Sequence, residues 1–322
     1  MTTRRNLVLS ATLLAAPAIP RAQPAWPSGP IRIIVPFPPG GSVDTIARLL
    51  QPHLQADLGV PIIVENRPGA SGSLGAAQVA RAAPDGQTFL HVFDTLVVNP
   101  ALIPNIGFDT QRDLAPVLRI GTAGMTITTH RSRPWRSFQE VVAAAKARPD
   151  TITFGSIGNG SLAHLTMMLL QRAAGITLVH VPYRGGGPLV VAATAGEVDL
   201  PTATGTVFTQ LFEQGVLRPL ATTGPSRKAA LREVPTLKEL GFPVEAEAFW
   251  GALAPGGTPS PIITRYEAAL RAAMAVPAVR ERLVGVMGVD LEMQSGPDFA
   301  AFIAQQMAVW GRVVRENSIR PD

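Results

Sequence analysis

Apolar residues fall in short β-branched runs, each ended by glycine or proline and followed by an amphipathic stretch. Ile31-Arg32-Ile33-Ile34-Val35-Pro36-Phe37 reads as a buried strand entering the tight loop Pro38-Pro39-Gly40-Gly41. Ser42 is expected to cap a helix with Ile46, Leu49 and Leu50 on one face, kinked or ended by Pro52 and stopped by Gly59. A second strand at 61–65 leads into the glycine-rich loop 66–72 and a small-residue helix at about 73–83. A third strand follows at 88–93. Strand, loop and helix in alternation argue a parallel α/β sheet.

The same order restarts at 151–154, with a strand, the loop Gly155-Ser156-Ile157-Gly158-Asn159-Gly160 and a helix over 161–174 closed by Gly175. Strands at 178–181, 198–200 and 217–222 continue it, the first of them followed by Tyr183-Arg184-Gly185-Gly186-Gly187. Two β/α blocks predict two similar lobes, although their sequences are too different to be a repeat. From Ser260 the tail is helical, with Pro261 at the first helical position. Its last helix, from about Pro297, carries Phe299, Phe302, Ile303, Trp310 and Val313 at core spacing.

Composition sharpens this. A chain of 322 residues with 46% hydrophobic and 16% charged residues buries a sizeable core and suits two domains. Thirty glycines and 30 prolines agree with many tight loops. No cysteine occurs, which excludes disulfides, thiolate metal sites and cysteine nucleophiles. At the start, Arg4 and Arg5 precede a charge-free apolar run from Leu7 to Ala16, broken by Pro17 and Pro20, with Ala22 available for cleavage. This is signal-peptide grammar over residues 1–22, with a loose twin-arginine pattern, and predicts export to the periplasm. The run is too short to span a bilayer. The segment carries three arginines and no acid, so its loss lowers the net charge from +5 to about +2. Arg131, Arg133 and Arg136 form the one basic cluster, which reads as a solvated loop. No nucleic-acid partner is expected.

Catalytic signatures are weak. The histidines, His53, His91, His130, His164 and His180, are dispersed, with no pair at metal-ligand spacing and no G-x-S-x-G elbow. Gly158-Asn159-Gly160-Ser161-Leu162-Ala163 matches a relaxed dinucleotide fingerprint, but the acidic residue expected about 20 positions on is missing. What recurs is a glycine loop delivering a helix N-terminus at a strand end: Gly40-Gly41-Ser42, Ser71-Gly72, and the loop from Gly158 to Ser161. Free N–H groups and the helix dipole favour anions there. Capping alone accounts for any one loop; their coincidence in both blocks of an exported chain points to a small carboxylate.

Those residues carry a resemblance. Ile34-Val35-Pro36-Phe37-Pro38-Pro39-Gly40-Gly41-Ser42-Val43-Asp44, then Val64-Glu65-Asn66-Arg67-Pro68-Gly69-Ala70, the stretches 80–86, 155–164 and 180–185, and Val234-Pro235-Thr236 with Glu239-Leu240-Gly241 occur in order. The chain resembles, from about Trp26 onward, the tripartite tricarboxylate transporter receptor family, also called the Bug family. The resemblance implies a two-lobed α/β fold, the type II periplasmic-binding-protein fold, with a hinge and an interlobe cleft. It implies a monomeric solute-binding receptor, without catalytic residues, metal or cofactor, that passes a small carboxylate to membrane transporter subunits. Carried onto this chain, lobe 1 would be 23–123 with 248–322, and lobe 2 would be 124–247. The chain would cross near Ala123 and return near Phe249.

One wall of the cleft would hold Phe37, Gly40, Gly41 and Ser42, with Ser71 and Thr95, and Asp44 as a first-turn dipole partner. The other would hold Gly158, Gly160, Ser161 and His164, with Tyr183 and Gly185. Two departures bear on the ligand. Pro201-Thr202-Ala203-Thr204 stands where the family often has an acid or amide, so the hydroxyls of Thr202 or Thr204 would substitute. Asp94 stands where small neutral residues are usual, and its charge would repel a second carboxylate. That favours a monocarboxylate, an amino acid or a neutral amide over a tricarboxylate. An exported α/β hydrolase or lyase using His164 and Asp199 is the alternative, and a protein-binding adaptor using the Arg131–Arg136 loop is a third reading.

Overall fold

The computed structural model describes residues 26–228 and 231–320; the expected signal segment, 1–22, lies outside them. β1 (Ile31–Val35), apolar apart from Arg32, sits between β2 (Ile62–Asn66) and β3 (Thr88–Val92) in a parallel trio. A strand covered on both faces reads as a continuous apolar run, which is what 31–37 shows. α1 (Ser42–Leu58), α2 (Ser73–Ala80) and α3 (Thr95–Leu102) follow these three strands in turn.

The chain then enters β4 (Leu114–His130), 17 residues long, about 55 Å of extended chain. Its amino-terminal part pairs antiparallel with β9 (Glu247–Pro255) and β10 (Asp290–Ser295). From Met125 onward it pairs with β7 (Leu200–Thr204) and β8 (Leu217–Thr222). β9 also pairs with β3, and β5 (Thr153–Ser156) joins β7 to β6 (Val179–Pro182) in parallel. The sheet order is β2-β1-β3-β9-β4-β7-β5-β6. Thr122, Ala123 and Gly124 lie opposite Phe249, Ala248 and Glu247, so β4 and β9 run side by side where the pairing partners change.

Helices α4 (Phe138–Ala147), α5 (Leu162–Ala174), α6 (Gly186–Ala195) and α7 (Gly205–Glu213) accompany β5 to β8. α8 (Ser260–Ala275), α9 (Pro277–Glu281) and α10 (Gly296–Glu316) return to the first sheet. The largest apolar cluster surrounds β1, β3 and β9 and holds Trp250, Tyr266, Phe299 and Trp310. Phe138, Phe154 and Leu170 centre a second cluster, and Leu189, Phe208 and Leu211 a third. Among the described residues no helix is long and apolar enough to cross a membrane.

Two local expectations are corrected. α1 runs unbroken through Pro52 to a left-handed Gly59, whose N–H reaches Gln55 O at 3.0 Å. Ile46, Leu50, Leu54 and Leu58 are buried on both sides of the proline, and that packing outweighs the missing hydrogen bond. Ser42 is not the cap. Gly41 is, and Ser42 Oγ accepts from Trp250 Nε1 at 3.0 Å.

Candidate functional site

Loops from the carboxyl ends of β1, β2 and β3 meet at one edge of the first sheet, where open α/β sheets take ligands. Gly40 adopts φ +83°, a conformation that glycine tolerates without a Cβ clash, and donates its N–H to Asp44 Oδ2 at 2.9 Å. Buried Asp44 also accepts from Asn66 Nδ2 at 2.9 Å and pairs with Arg48 at 3.0 Å. Burial acts to raise the Asp44 pKa, but bonds from Arg48, Gly40 and Asn66 outweigh it and hold the carboxyl below its ordinary value. Asn66 Nδ2 reaches Phe37 O as well, at 3.0 Å. One carboxylate and one amide therefore fix the shape of the Phe37–Gly41 turn.

The second loop carries exposed Ser71 at φ +52°. Its carbonyl accepts from Asn99 Nδ2 at 2.9 Å, and the same amide donates to Ser73 Oγ at 2.9 Å. Between the loops lies a small pocket whose wall includes Phe37, Gly72, Ser73, Thr95, Leu96 and Asn99. The Phe37 and Phe93 rings meet edge to face at 6.4 Å. At the end of β3, Asp94 is 3% exposed, and burial pushes its carboxyl up to about 8, only partly opposed by the Thr95 N–H. The expectation of a charged, repelling carboxylate is thereby corrected: Asp94 is mostly protonated at neutral pH.

In the second lobe, Gly158 (φ +137°) and Gly160 (φ +69°) turn the chain into α5. Ser156 Oγ donates to Gly158 O at 3.0 Å, accepts its N–H at 3.2 Å and lies 2.7 Å from His180 Nε2. Ser161 caps α5 by accepting from His164 N at 3.4 Å. The Gly160 N–H in turn reaches His164 Nδ1 at 3.1 Å, so this imidazole ties down the loop. His164 stacks on His180 at 3.9 Å, and Phe154 stacks on His180 at 4.7 Å. Leu102 of α3 packs so closely on Gly160 that a side chain there would collide with it. Arg172, in the last turn of α5, also pairs with Glu316 of α10 at 3.1 Å.

Gly185 (φ +102°) precedes α6, and Thr204, its Oγ1 2.8 Å from Thr206 Oγ1, precedes α7. Gly185 follows β6 and Thr204 ends β7, the two strands that flank β5 in parallel. Of two further expected contributors, Tyr183 is partly exposed and Thr202 fully buried. The Tyr183 ring packs over Gly155 with Leu189 and Val198, and its pKa is raised by burial and by Glu197, which lies before β7. That side chain runs back beneath α6. Thr202 is fully buried inside β7, its hydroxyl donating to Leu200 O at 3.2 Å.

The enzyme alternative finds no support in this geometry. Asp199 accepts from Thr153 N and Oγ1, both at 2.9 Å, and pairs with Arg133 at 3.1 Å, at the amino ends of β5 and β7. His164 lies beyond the opposite end of β5. Three hydroxyl–imidazole pairs form among the described residues: Ser156 with His180 and Tyr266 with His91 have buried hydroxyls, and Ser132 with His130 lies beside Gly196, at the far end of α6 from Gly185. Arg133 is engaged by Asp199 and Gly196 O, so the basic loop presents no three-arginine face.

Asn99 holds the Ser71–Ser73 loop, and Ser156 with His180 holds the Gly158 turn; sequence reasoning singled out none of the three. His180 and Ser156 lay within the recurring motifs and could have been found there; Asn99, inside an unmarked helix, had no local signal.

Residues 46–319 match the tripartite tricarboxylate transporter family receptor. The chain is 34% identical to Protein BugT of Bordetella pertussis over 306 residues, 94% of either chain. A Rhodopseudomonas palustris protein solved with adipate superposes with a TM-score of 0.83 at 28% identity, over 92% of this chain and 100% of that one. MatC of the same organism, solved with malate, gives a TM-score of 0.79 at 28% identity, over 90% and 100%. Members of this family are periplasmic solute-binding proteins and not enzymes. With the family match spanning most of its length, the chain belongs to the tripartite tricarboxylate transporter receptor family.

Proposed function

We propose that this protein captures a small carboxylate-bearing ligand between its lobes, outside the cytoplasm, and hands it to a membrane transporter or sensor. The observation that carries the reading is the pairing of two glycine turns, Phe37–Ser42 and Gly158–Ser161, each held by buried hydrogen bonds and each opening a helix. Helix N-termini and free N–H groups favour an anion without a salt bridge. Adipate and malate in the two solved relatives suit the same chemistry.

In this reading Gly40, Gly41, Ser42, Ser71 and Thr95 line the first wall, with Phe37 as its apolar flank. Gly158, Gly160, Ser161, Gly185 and Thr204 line the second, with His164 holding it. Residues 23–123 and 248–322 move as one lobe and 124–247 as the other, hinged where β4 and β9 run together. Export by the signal segment, by the twin-arginine or the general route, and a monomeric state complete the proposal.

Neutral Asp94 no longer argues against a second carboxylate. A monocarboxylate, amino acid or amide in preference to a tricarboxylate rests instead on the first wall, where no basic residue lines the pocket. Calorimetric titration with citrate, malate, adipate and a set of monocarboxylates tests the function. Micromolar binding of at least one carboxylate is expected, and no heat from any of them contradicts it.

A further inference from the structure

The pocket between Phe37 and Asn99 bears on the part of the ligand that does not carry the carboxylate. Its walls are Phe37 from the β1 loop, Ala76 from α2, Val92 and Phe93 from β3, Leu96 from α3, and Phe108. Its free volume is about 10 Å³, room for about one methyl- or water-sized group. No acidic or basic side chain lines it. Arg48 and Arg67, the arginines of the neighbouring α1 and β2 segments, are already paired with Asp44 and Glu65. The Asn99 amide N–H groups that line it are likewise taken, by Ser71 O and Ser73 Oγ. A second carboxylate entering here would lose its water and meet neither a cation nor a free amide donor from these groups. An ammonium group would meet aromatic faces and one neutral acceptor, the unpartnered Asn99 Oδ1, but no acidic side chain lines the pocket to balance its charge.

We infer that the ligand is a short-chain aliphatic monocarboxylate whose methyl end enters this first-lobe pocket. The inference rests on the receptor reading above and goes beyond it by choosing among carboxylates. It separates this chain from the two relatives solved with dicarboxylates. Phe37 is the pivot: its backbone belongs to the turn that faces the anion, and its ring forms the wall that faces the tail.

The test is calorimetric titration of the exported-length protein with acetate, propanoate, butanoate, pentanoate and hexanoate, beside malate, adipate and 4-aminobutanoate. Because the pocket takes about one methyl-sized group, affinity should rise about fourfold for the methylene that first fills it, and then level off or fall. The best monocarboxylate should bind at least about tenfold more tightly than malate, adipate or 4-aminobutanoate. Ala76→Val, which narrows the pocket, should flatten the chain-length series, and Leu96→Ala should shift its optimum to longer acids. Should a substituted chain fail to fold, the wild-type series alone still decides. Malate or adipate binding more tightly than every monocarboxylate would overturn the inference and leave the receptor function standing. So would an affinity indifferent to chain length. No binding by any carboxylate would overturn both.

Discussion

Asp94 shows how far burial alone changes a residue's meaning. As a free aspartate it would be a charge at a strand end; buried with only the Thr95 amide to help, it keeps its proton up to about pH 8. A carboxyl whose folded pKa lies above the unfolded value near 3.9 contributes stability that is fully present below that value. The contribution is lost as pH rises through 8. His91, fully buried and lowered by burial to about 4, acts in the opposite sense: its contribution is present above about 6.5 and lost as pH falls through 4. Comparing Asp94→Asn with wild type isolates the first effect. The variant should gain stability relative to wild type between pH 5 and pH 8 in thermal unfolding, by several degrees in melting temperature at pH 8. A difference between the two that is constant with pH would contradict the buried, protonated state.

At the scale of single elements, the α5 entry is the most specific structure in the second lobe. Ser161→Ala removes the cap and should cost about 1 kcal/mol of stability. It should weaken ligand binding as well, and an unchanged affinity would separate the cap from the site. Gly160→Val forces a β-branched residue into φ +69° and into Leu102. It should lower the melting temperature by more than Ser161→Ala does; an equal or higher melting temperature would show that the lobes do not meet there.

These same elements show what was legible. α5 stands between a serine cap and Gly175, and β8 between a left-handed Gly215 and the Thr223 turn, so both read correctly from local signals. β1 was plain from its β-branched run. β4 was not read as a strand, because it is buried on both faces, mixes threonines with apolar residues and is broken by Pro116, Gly121 and Gly124. Its identity depends on β9 and β10, which come more than a hundred residues later. β10 itself, Asp-Leu-Glu-Met-Gln-Ser, is half-buried and was passed over as part of a helical tail. In the site, the glycine turns were visible because backbone conformation dictates glycine. The directions of Tyr183 and Thr202 were not, because they depend on α6 and on the register of β7.

At the scale of the whole molecule, ion pairs gather where β4 changes partners beside β9. Lys228, after β8, meets Glu247 Oε1 at 3.1 Å and also Asp290 of β10. Thr122 Oγ1 donates to Glu292 Oε1 at 3.0 Å, and Arg119 pairs with Glu292 while lying 3.8 Å over the Phe302 ring. Lys228→Met leaves Glu247 half-buried without its cation and should cost about 1–3 kcal/mol in denaturant unfolding. No loss would mean that the contact is replaced by water.

The central proposal is that a carboxylate sits between the turns Phe37–Ser42 and Gly158–Ser161. The most direct measurement is a crystal structure of the protein with butanoate. The account predicts the carboxylate oxygens within about 3 Å of backbone N–H groups from both turns, with the methyl end beside Phe37 and Leu96. Density for the acid on one lobe alone, or outside these turns, would contradict it.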